Sequence, residues 1–172
     1  MYIREKGTNK QSFLIDNKTK GFYEYVTIGS SFVQSNILGA LGISQLKKLD
    51  WITNERKKIA EFYIEGLKGL PNIEFIRITE GAETNWHIFG ILVPPEYKYW
   101  IMDALRAEGI MANVHYTPLH RNKFYYGLAN DDEMEGSMKF FNRLLRIPIY
   151  PSLTQEEREK VVEGTRKVLK QL

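Results

Sequence analysis

The amino-acid sequence predicts an α/β protein in which one long connecting helix precedes a small, α+β-like domain. Three features lead to this prediction: an apolar repeat of helical period over residues 34–70, short alternating segments after residue 71, and amphipathic stretches between those segments. Because the strands are few and short, we expect a small, mainly antiparallel sheet with helices on one face. The chain has 172 residues, 43% of them hydrophobic and 26% charged, so it can bury a core.

The predicted connecting helix is unusually long. Its apolar residues recur in steps that are mostly three, four or seven, which places them on one stripe of a helix: Ile37, Leu38, Leu41, Leu46, Leu49, Ile52, Ile59, Phe62, Tyr63 and Leu67. Gly69 and Pro71 predict the end of the helix, since Gly closes helices and Pro cannot continue them. A helix of about thirty residues would be about 45 to 50 Å long. We therefore expect it to connect two bodies or to lie across an interface.

Short strands and amphipathic helices alternate in the rest of the chain. We predict strands over residues 73–78, 86–93 and 110–116, an edge strand over 146–151, and helices over 96–108, 134–145 and from 154 onwards. Pro148 favours an edge position for its strand. Thr154 and Glu157 have the spacing of a capping box, which marks the start of the last helix.

Composition narrows the possible functions. The net charge of +3 arises from 24 basic and 21 acidic residues, a balance too even to predict a nucleic-acid-binding protein. One alternative stays open, because Arg121, Lys123 and the aromatic residues 124–126 combine phosphate contacts with stacking surfaces. There is no Cys and no apolar leader, and the charge-free residues 25–46 are too polar for a membrane span. We expect a cytoplasmic protein that does not enter a membrane.

The three histidines are candidates for a functional site. His115 and His120 flank the predicted end of a strand, and binding residues collect in loops at such ends. No acidic residue or Cys accompanies them at metal-ligand spacing, so we predict no metal site. For His120 the alternative is a surface residue next to the turn made by Pro118. Residues 131–133 are interpreted as a solvated acidic cluster.

The turn Gly29-Ser30-Ser31 is a second candidate. Gly allows close approach of the backbone, hydroxyls donate hydrogen bonds, and a helix N-terminus favours negative charge, so the turn is a candidate anion cradle. The alternative is that the serines cap the helix. The sequence shows no nucleophile elbow, no phosphate-binding Gly-rich loop and no paired-carboxylate motif. These patterns alone predict no reaction.

Six segments of the chain occur in the same order in one known family. They are residues 4–10, 28–32, 38–46, 85–89, 115–120 and 143–150. Together they resemble the sugar-nucleotide aminotransferases of the DegT/DnrJ/EryC1/StrS family. The resemblance covers only the carboxy-terminal portion of such an enzyme: residues 1–33 would be the tail of a large cofactor-binding domain, 34–70 the connecting helix, and 71–172 the small domain.

This resemblance implies a pyridoxal-phosphate enzyme of aspartate-aminotransferase-like (fold type I) structure. Such an enzyme moves an amino group from an amino-acid donor, typically glutamate, to a 4-keto-6-deoxy sugar nucleotide for surface-polysaccharide biosynthesis. Its partner would be a second copy, as a homodimer, or the missing amino-terminal half. The alternative is a non-catalytic module for dimerisation or nucleotide-sugar binding.

The resemblance also implies which site residues this chain contains. In the family a Schiff-base lysine lies in a Ser-Phe-x-x-x-Lys motif, and no Lys of this sequence matches that motif, so we predict no catalytic residue here and no activity of the chain alone. The implied secondary contacts are Gly29 and Ser31 to the cofactor phosphate of the partner subunit, Tyr116 and His120 on the substrate side, and Arg4 and Asn9 in a loop near the active site.

Overall fold

The computed structural model describes residues 2–4, 6–8 and 24–172. The chain forms two compact units, Met1–Leu49 and Asp50–Leu172. The boundary between the units lies within residues 34–70, the segment that the sequence predicts to be one helix. We describe each unit by itself.

The predicted continuous helix is in fact two helices, α1 (Asn36–Leu46) and α2 (Leu49–Leu67). The prediction is wrong at Lys47 and Lys48, where the chain makes a tight turn. The N–H of Lys48 donates to the carbonyl of Gln45 at 2.9 Å, an i→i−3 bond instead of the i→i−4 bond of an α-helix. The apolar spacing does not reveal this break, because Leu46 and Leu49 are also correctly spaced for an uninterrupted helix.

Only the second of these helices contributes to a core. In α2 the buried residues are Ile59, Ala60, Tyr63 and Leu67, which follow one another at helical spacing. The hydroxyl of Tyr63 donates to the carbonyl of Pro148 at 2.9 Å, and its ring packs edge-on against Phe89 with 5.3 Å between centroids. These contacts attach the C-terminal half of α2 to the sheet.

The sheet is small and antiparallel, as the sequence predicts. Its strands β1 (Glu74–Phe75), β2 (Phe89–Leu92) and β3 (Leu144–Ile147) lie in the order β1-β2-β3. Along β2, Phe89 and Ile91 are buried while the alternate residues are partly exposed, so one face of the strand points into the core. In the register of the sheet, Phe89 faces Ile147.

The predicted strand over residues 110–116 is wrong. Asn113 forms only an isolated bridge to Arg146, in which the two residues exchange backbone hydrogen bonds of 3.0 and 2.8 Å. The N–H of Ala112 donates to the carbonyl of Ile110 at 3.0 Å, so the chain turns where a strand would extend. Both residues are buried. The alternating apolar residues at 110–116 are therefore explained by the burial of Ile110 and Ala112 and not by a paired strand.

The remaining helices match their predicted positions. They are α3 (Lys98–Ala107), α4 (Glu135–Arg143) and α5 (Gln155–Leu169). Helices α2, α3 and α5 contribute residues to the core together with the sheet. The capping box at the start of α5 is confirmed: the Thr154 hydroxyl accepts from the N–H of Glu157 at 3.2 Å, and the Glu157 carboxylate accepts from the N–H of Thr154 at 2.8 Å. Within the described ranges, no helix combines the length and the apolar character that crossing a bilayer requires.

Candidate functional site

The N-terminal unit is organised around Gly7 and Gly29, whose backbones are in contact. A Cβ atom on Gly29 would lie 2.3 Å from the nitrogen of Gly7, and a Cβ atom on Gly7 would lie 1.8 Å from the carbonyl oxygen of Thr27. Gly7 also has φ +79°, a conformation that favours glycine. The absence of a side chain at Gly29 therefore lets the backbone of Gly7 approach.

This packing brings Arg4 next to the predicted anion cradle. The carbonyl of Arg4 accepts a hydrogen bond from the N–H of Phe32 at 3.1 Å, and the carbonyl of Ile3 accepts one from the N–H of Ser30 at 2.9 Å. Arg4 and Ser31 are both exposed. Asn9, the other residue predicted in this loop, lies outside the described residues.

Ser30 and Ser31 do not cap the helix that follows them. The N-cap of α1 is Ser35, whose hydroxyl accepts from the N–H of Ile37 at 3.2 Å. The favourable electric field of a helix dipole is confined to the first turn of the helix. Ser31 lies four residues before the N-cap Ser35, outside that turn. An anion at Ser31 would therefore depend on hydroxyl and backbone donors.

These groups fit a peripheral contact with pyridoxal phosphate. A serine hydroxyl can donate to a phosphate oxygen, and the guanidinium of Arg4 can add positive charge. None of residues 28–32 carries an amine, so this segment offers no group for covalent attachment of the cofactor. The cofactor contact of Gly29 and Ser31 and the active-site role of Arg4 stay predictions.

In the C-terminal unit, His120 is held in place by an acidic residue. Its Nε2 lies 2.9 Å from Oδ1 of Asp131, and only 10% of its side chain is exposed. The carboxylate of Asp131 can only accept, so Nε2 is the nitrogen that donates. The alternative of a freely exposed surface histidine is therefore wrong.

Asp131 also binds Arg121. Nε of Arg121 donates to Oδ1 at 3.0 Å and Nη2 donates to Oδ2, a two-pronged pairing of guanidinium and carboxylate. Hydrogen bonds from Arg121 and then from His120 hold the pKa of Asp131 well below its ordinary value. The pairing of Asp131 with His120 cannot be predicted from the sequence, because the two residues are eleven positions apart and no local motif links them.

The triad of His120, Arg121 and Asp131 closes an irregular loop over residues 119–132. The loop contains short 3-10 turns at Leu119–Arg121 and Lys123–Tyr125. It borders an open cleft of about 630 Å³, lined by His120, Arg121, Tyr126, Gly127, Ala129, Asn130, Asp131 and Asp132. Phe124 and Tyr126 are 88% and 84% exposed. Tyr126 therefore places an aromatic ring beside the polar groups of this cleft, whereas Phe124 belongs to the loop but does not line the cleft.

Tyr116 lies just before the loop and is 69% exposed. Its ring is 3.9 Å from that of His115, and Nδ1 of His115 is 3.3 Å from Nη1 of Arg146. Tyr116 and His120 thus belong to the C-terminal unit, whereas Arg4, Gly29 and Ser31 belong to the N-terminal unit. Among the described residues there is no group of three or more His, Asp or Glu that could hold a metal ion.

The sequence and the fold resemble known sugar aminotransferases. The family model of the DegT/DnrJ/EryC1/StrS aminotransferases matches residues 3–166. A UDP-4-amino-4,6-dideoxy-N-acetyl-beta-L-altrosamine transaminase from Campylobacter jejuni is 30% identical over 145 residues, which are 83% of this chain and 38% of that protein. A 3-oxo-glucose-6-phosphate:glutamate aminotransferase from Bacillus subtilis is 32% identical over 156 residues, which are 85% of this chain and 34% of that protein.

A solved structure agrees with this similarity. An aminotransferase from Helicobacter pylori that is involved in the biosynthesis of pseudoaminic acid has a TM-score of 0.85 and 25% sequence identity, and the match covers 99% of this chain and 45% of that one. The predicted fold type I architecture is confirmed. The chain spans less than half the length of these relatives and corresponds to their carboxy-terminal part.

Proposed function

Because this chain belongs to the DegT/DnrJ/EryC1/StrS aminotransferase family, we propose that it forms the carboxy-terminal part of a pyridoxal-phosphate-dependent sugar-nucleotide aminotransferase. The reaction is amino transfer from glutamate to a 4-keto-6-deoxy sugar nucleotide in surface-polysaccharide biosynthesis. The observation that carries this proposal is the family match over residues 3–166, and two curated aminotransferases of sugar derivatives support it. Pyridoxal phosphate supplies the electron sink for such a transfer when it is bound.

In this proposal residues 1–33 are the tail of a large cofactor-binding domain, residues 34–70 connect the domains, and residues 71–172 form the small domain. Ser31 donates a hydrogen bond to the cofactor phosphate of a partner subunit. Gly29 has no side chain that could obstruct this phosphate. Arg4 and Asn9 belong to the loop that is proposed to approach the active site. The functional unit is a homodimer or a complex with a polypeptide that contains the amino-terminal half.

The cleft beside residues 119–132 is the substrate side of the proposed enzyme. Exposed rings such as those of Phe124 and Tyr126 stack on a nucleotide base without demanding a particular base. Tyr116 and His120 supply hydroxyl and imidazole groups for the sugar. The contact between His120 and Asp131 supports this role, because it fixes which imidazole nitrogen donates and leaves Nδ1 for a ligand.

We further propose that this chain has no activity by itself. No Lys among its 172 residues lies in a Ser-Phe-x-x-x-Lys motif. Among the lysines in the described part of the chain, Lys98 is the one whose pKa burial lowers, which favours the nucleophilic amine form. However, Lys98 is only 1% exposed, and its ammonium donates to the carbonyl of Phe141 and lies over that ring. An aldehyde therefore has no access to it.

The test is to trap and map any covalent cofactor. The full chain is incubated with pyridoxal phosphate and borohydride, and modified lysines are identified by mass spectrometry. Turnover is measured with glutamate and a dTDP-linked 4-keto-6-deoxy sugar, first with this chain and then after co-expression with a polypeptide that contains the Ser-Phe-x-x-x-Lys segment. We expect no specific label and no turnover from the chain alone, and glutamate-dependent turnover from the complex.

Matched serine variants locate the phosphate contact in that complex. Ser31→Ala removes the proposed donor, and we expect about tenfold weaker binding of pyridoxal phosphate, as for loss of one hydrogen bond to a charged group. Ser30→Ala serves as the control and should bind as the unmodified complex does. Specific labelling of one lysine together with turnover by the chain alone would refute the proposed inactivity. A complex that binds the sugar nucleotide without turnover would favour the non-catalytic binding module.

A further inference from the structure

A second cavity in the C-terminal unit has the composition of an anion-binding site. Its volume is about 220 Å³, and it is lined by His87, Ile88, Met111, Asn113, Arg146, Ile147, Pro148 and Ile149. Three of these residues are polar, and none of the described residues that line the cavity is acidic. This arrangement differs from the cleft at residues 119–132, where Asp131 neutralises Arg121.

The backbone of Arg146 is fixed on both sides. Within β3, Arg146 pairs with Gly90 of β2, and on its other side it exchanges two hydrogen bonds with Asn113. Its neighbours Leu145 and Ile147 are buried, whereas Arg146 is half-buried and lines the cavity. The sheet therefore fixes the backbone from which this side chain extends, and the contact of Nη1 with Nδ1 of His115 at 3.3 Å orients the guanidinium.

The side-chain partner of Arg146 is an imidazole, whereas Arg121 and Arg143 pair with carboxylates. A guanidinium can only donate, so Nδ1 of His115 accepts the hydrogen bond and its other nitrogen holds the proton. Burial, the charge of Arg146 and then that of His87 lower the pKa of His115. The positive charge of Arg146 is therefore not offset within this cluster.

The ring of His87 is oriented by Asn85. The side-chain oxygen of Asn85 accepts from the N–H of His87 at 3.1 Å and lies 2.9 Å from Nδ1 of the ring. An amide oxygen can only accept, so Nδ1 is a donor.

We infer that Arg146, His87 and Asn113 bind an oxyanion, either the carboxylate of the amino donor or a phosphate of the sugar nucleotide. The fork of a guanidinium matches two oxygens of either group. The assignment of this anion to a substrate rests on the proposed function. The binding itself does not, because the cavity lies wholly within this chain.

The test measures anion binding by the full chain without cofactor. Isothermal titration at constant ionic strength compares 2-oxoglutarate, dTDP and inorganic phosphate. Arg146→Gln should weaken the preferred anion about tenfold or more, the usual effect of losing a charged hydrogen-bond pair. Arg146→Lys keeps the charge but not the fork and should bind with intermediate affinity. Arg106→Gln, which changes an exposed arginine paired with Asp103, should bind as the unmodified chain does.

The contribution of His115 is tested in the same titration. His115→Asn keeps an acceptor near the position of Nδ1 and should retain the affinity, whereas His115→Ala should lower it because the guanidinium loses its support. Preference for 2-oxoglutarate assigns the site to the amino donor, and preference for dTDP and phosphate assigns it to the nucleotide. Absence of saturable binding for all three anions, or equal weakening in Arg106→Gln, would overturn the inference. If the co-expressed enzyme shows no turnover, the proposed function is wrong, but the anion-binding result still stands.

Discussion

Two consecutive helices of this chain, α1 and α2, share an apolar repeat but differ completely in burial. Helix α1 has no charged residue and no buried residue, and Ile37 in its first turn is 81% exposed. Helix α2 is rich in charged residues, yet it buries Ile59, Ala60, Tyr63 and Leu67. The more apolar helix is therefore the less buried one.

This difference shows that periodicity and burial are separate properties. Helix α2 is amphipathic, so its single apolar stripe is satisfied by packing on one side. Helix α1 has uncharged residues on every side, among them the polar Asn36, Ser44 and Gln45, so it has no charged face to present to water.

Two isoleucines test the comparison most strongly. Ile59→Ala, in α2, removes a side chain that is fully buried, and we expect the free energy of unfolding to fall by about 2–5 kcal/mol. Ile37→Ala, in α1, should change it by no more than about 0.5 kcal/mol. Urea unfolding followed by circular dichroism measures both. An equal loss in the two variants would mean that α1 is covered in solution, and a concentration-dependent midpoint would then identify self-association as the cause.

Replacing glycine by alanine should have opposite effects on stability in α5 and in α1. Gly164→Ala, in α5, places a Cβ atom 2.4 Å from Cδ1 of the buried Ile110, and we expect a loss of about 1–3 kcal/mol from overpacking. Gly39→Ala, in α1, meets no atom within 4 Å and should stabilise its helix by about 0.5–1 kcal/mol. Thermal unfolding measures the first effect, and hydrogen exchange of α1 peptides measures the second. A stabilising Gly164→Ala would contradict the tight packing of α5 on Ile110.

Low pH should reduce the hydrogen-exchange protection of the loop over residues 119–132 but not that of α1, and this effect should be smaller than the two before it. Helix α1 contains no titratable side chain, whereas the loop over residues 119–132 is closed by Asp131. The pKa of Asp131 is lower in the folded chain, so its contribution is complete above the unfolded value of about 3.9 and is lost as the pH falls through the folded value. We expect hydrogen-exchange protection of residues 119–132, corrected for intrinsic rates, to decline below about pH 4 while that of α1 stays constant.

Asp131→Asn should abolish this acid-dependent step, because the neutral amide no longer titrates. Asp132→Asn changes the neighbouring carboxylate and is the matched control, which should keep the step. An unchanged profile in Asp131→Asn would show that another group governs the loop.

Features that depend on neighbours along the chain could be predicted from the amino-acid sequence. The capping box of Thr154 and Glu157 predicted the start of α5, and helical spacing predicted the buried stripe of α2. The same local information singled out His120 and the turn around Gly29 as candidates. The ordered segments that resemble the aminotransferase family also come from sequence alone, and the match over residues 3–166 confirms the family.

Contacts between residues that are far apart along the chain are set by the tertiary structure. It ended α1 before Lys47, replaced the predicted strand at residues 110–116 by a single bridge to Arg146, and brought Asp131 to His120. Asp131 was interpreted as part of a solvated cluster because its partners lie ten and eleven residues away. The physical reason is that helical and strand periodicity record which face of an element is apolar, whereas these contacts depend on where that face comes to lie.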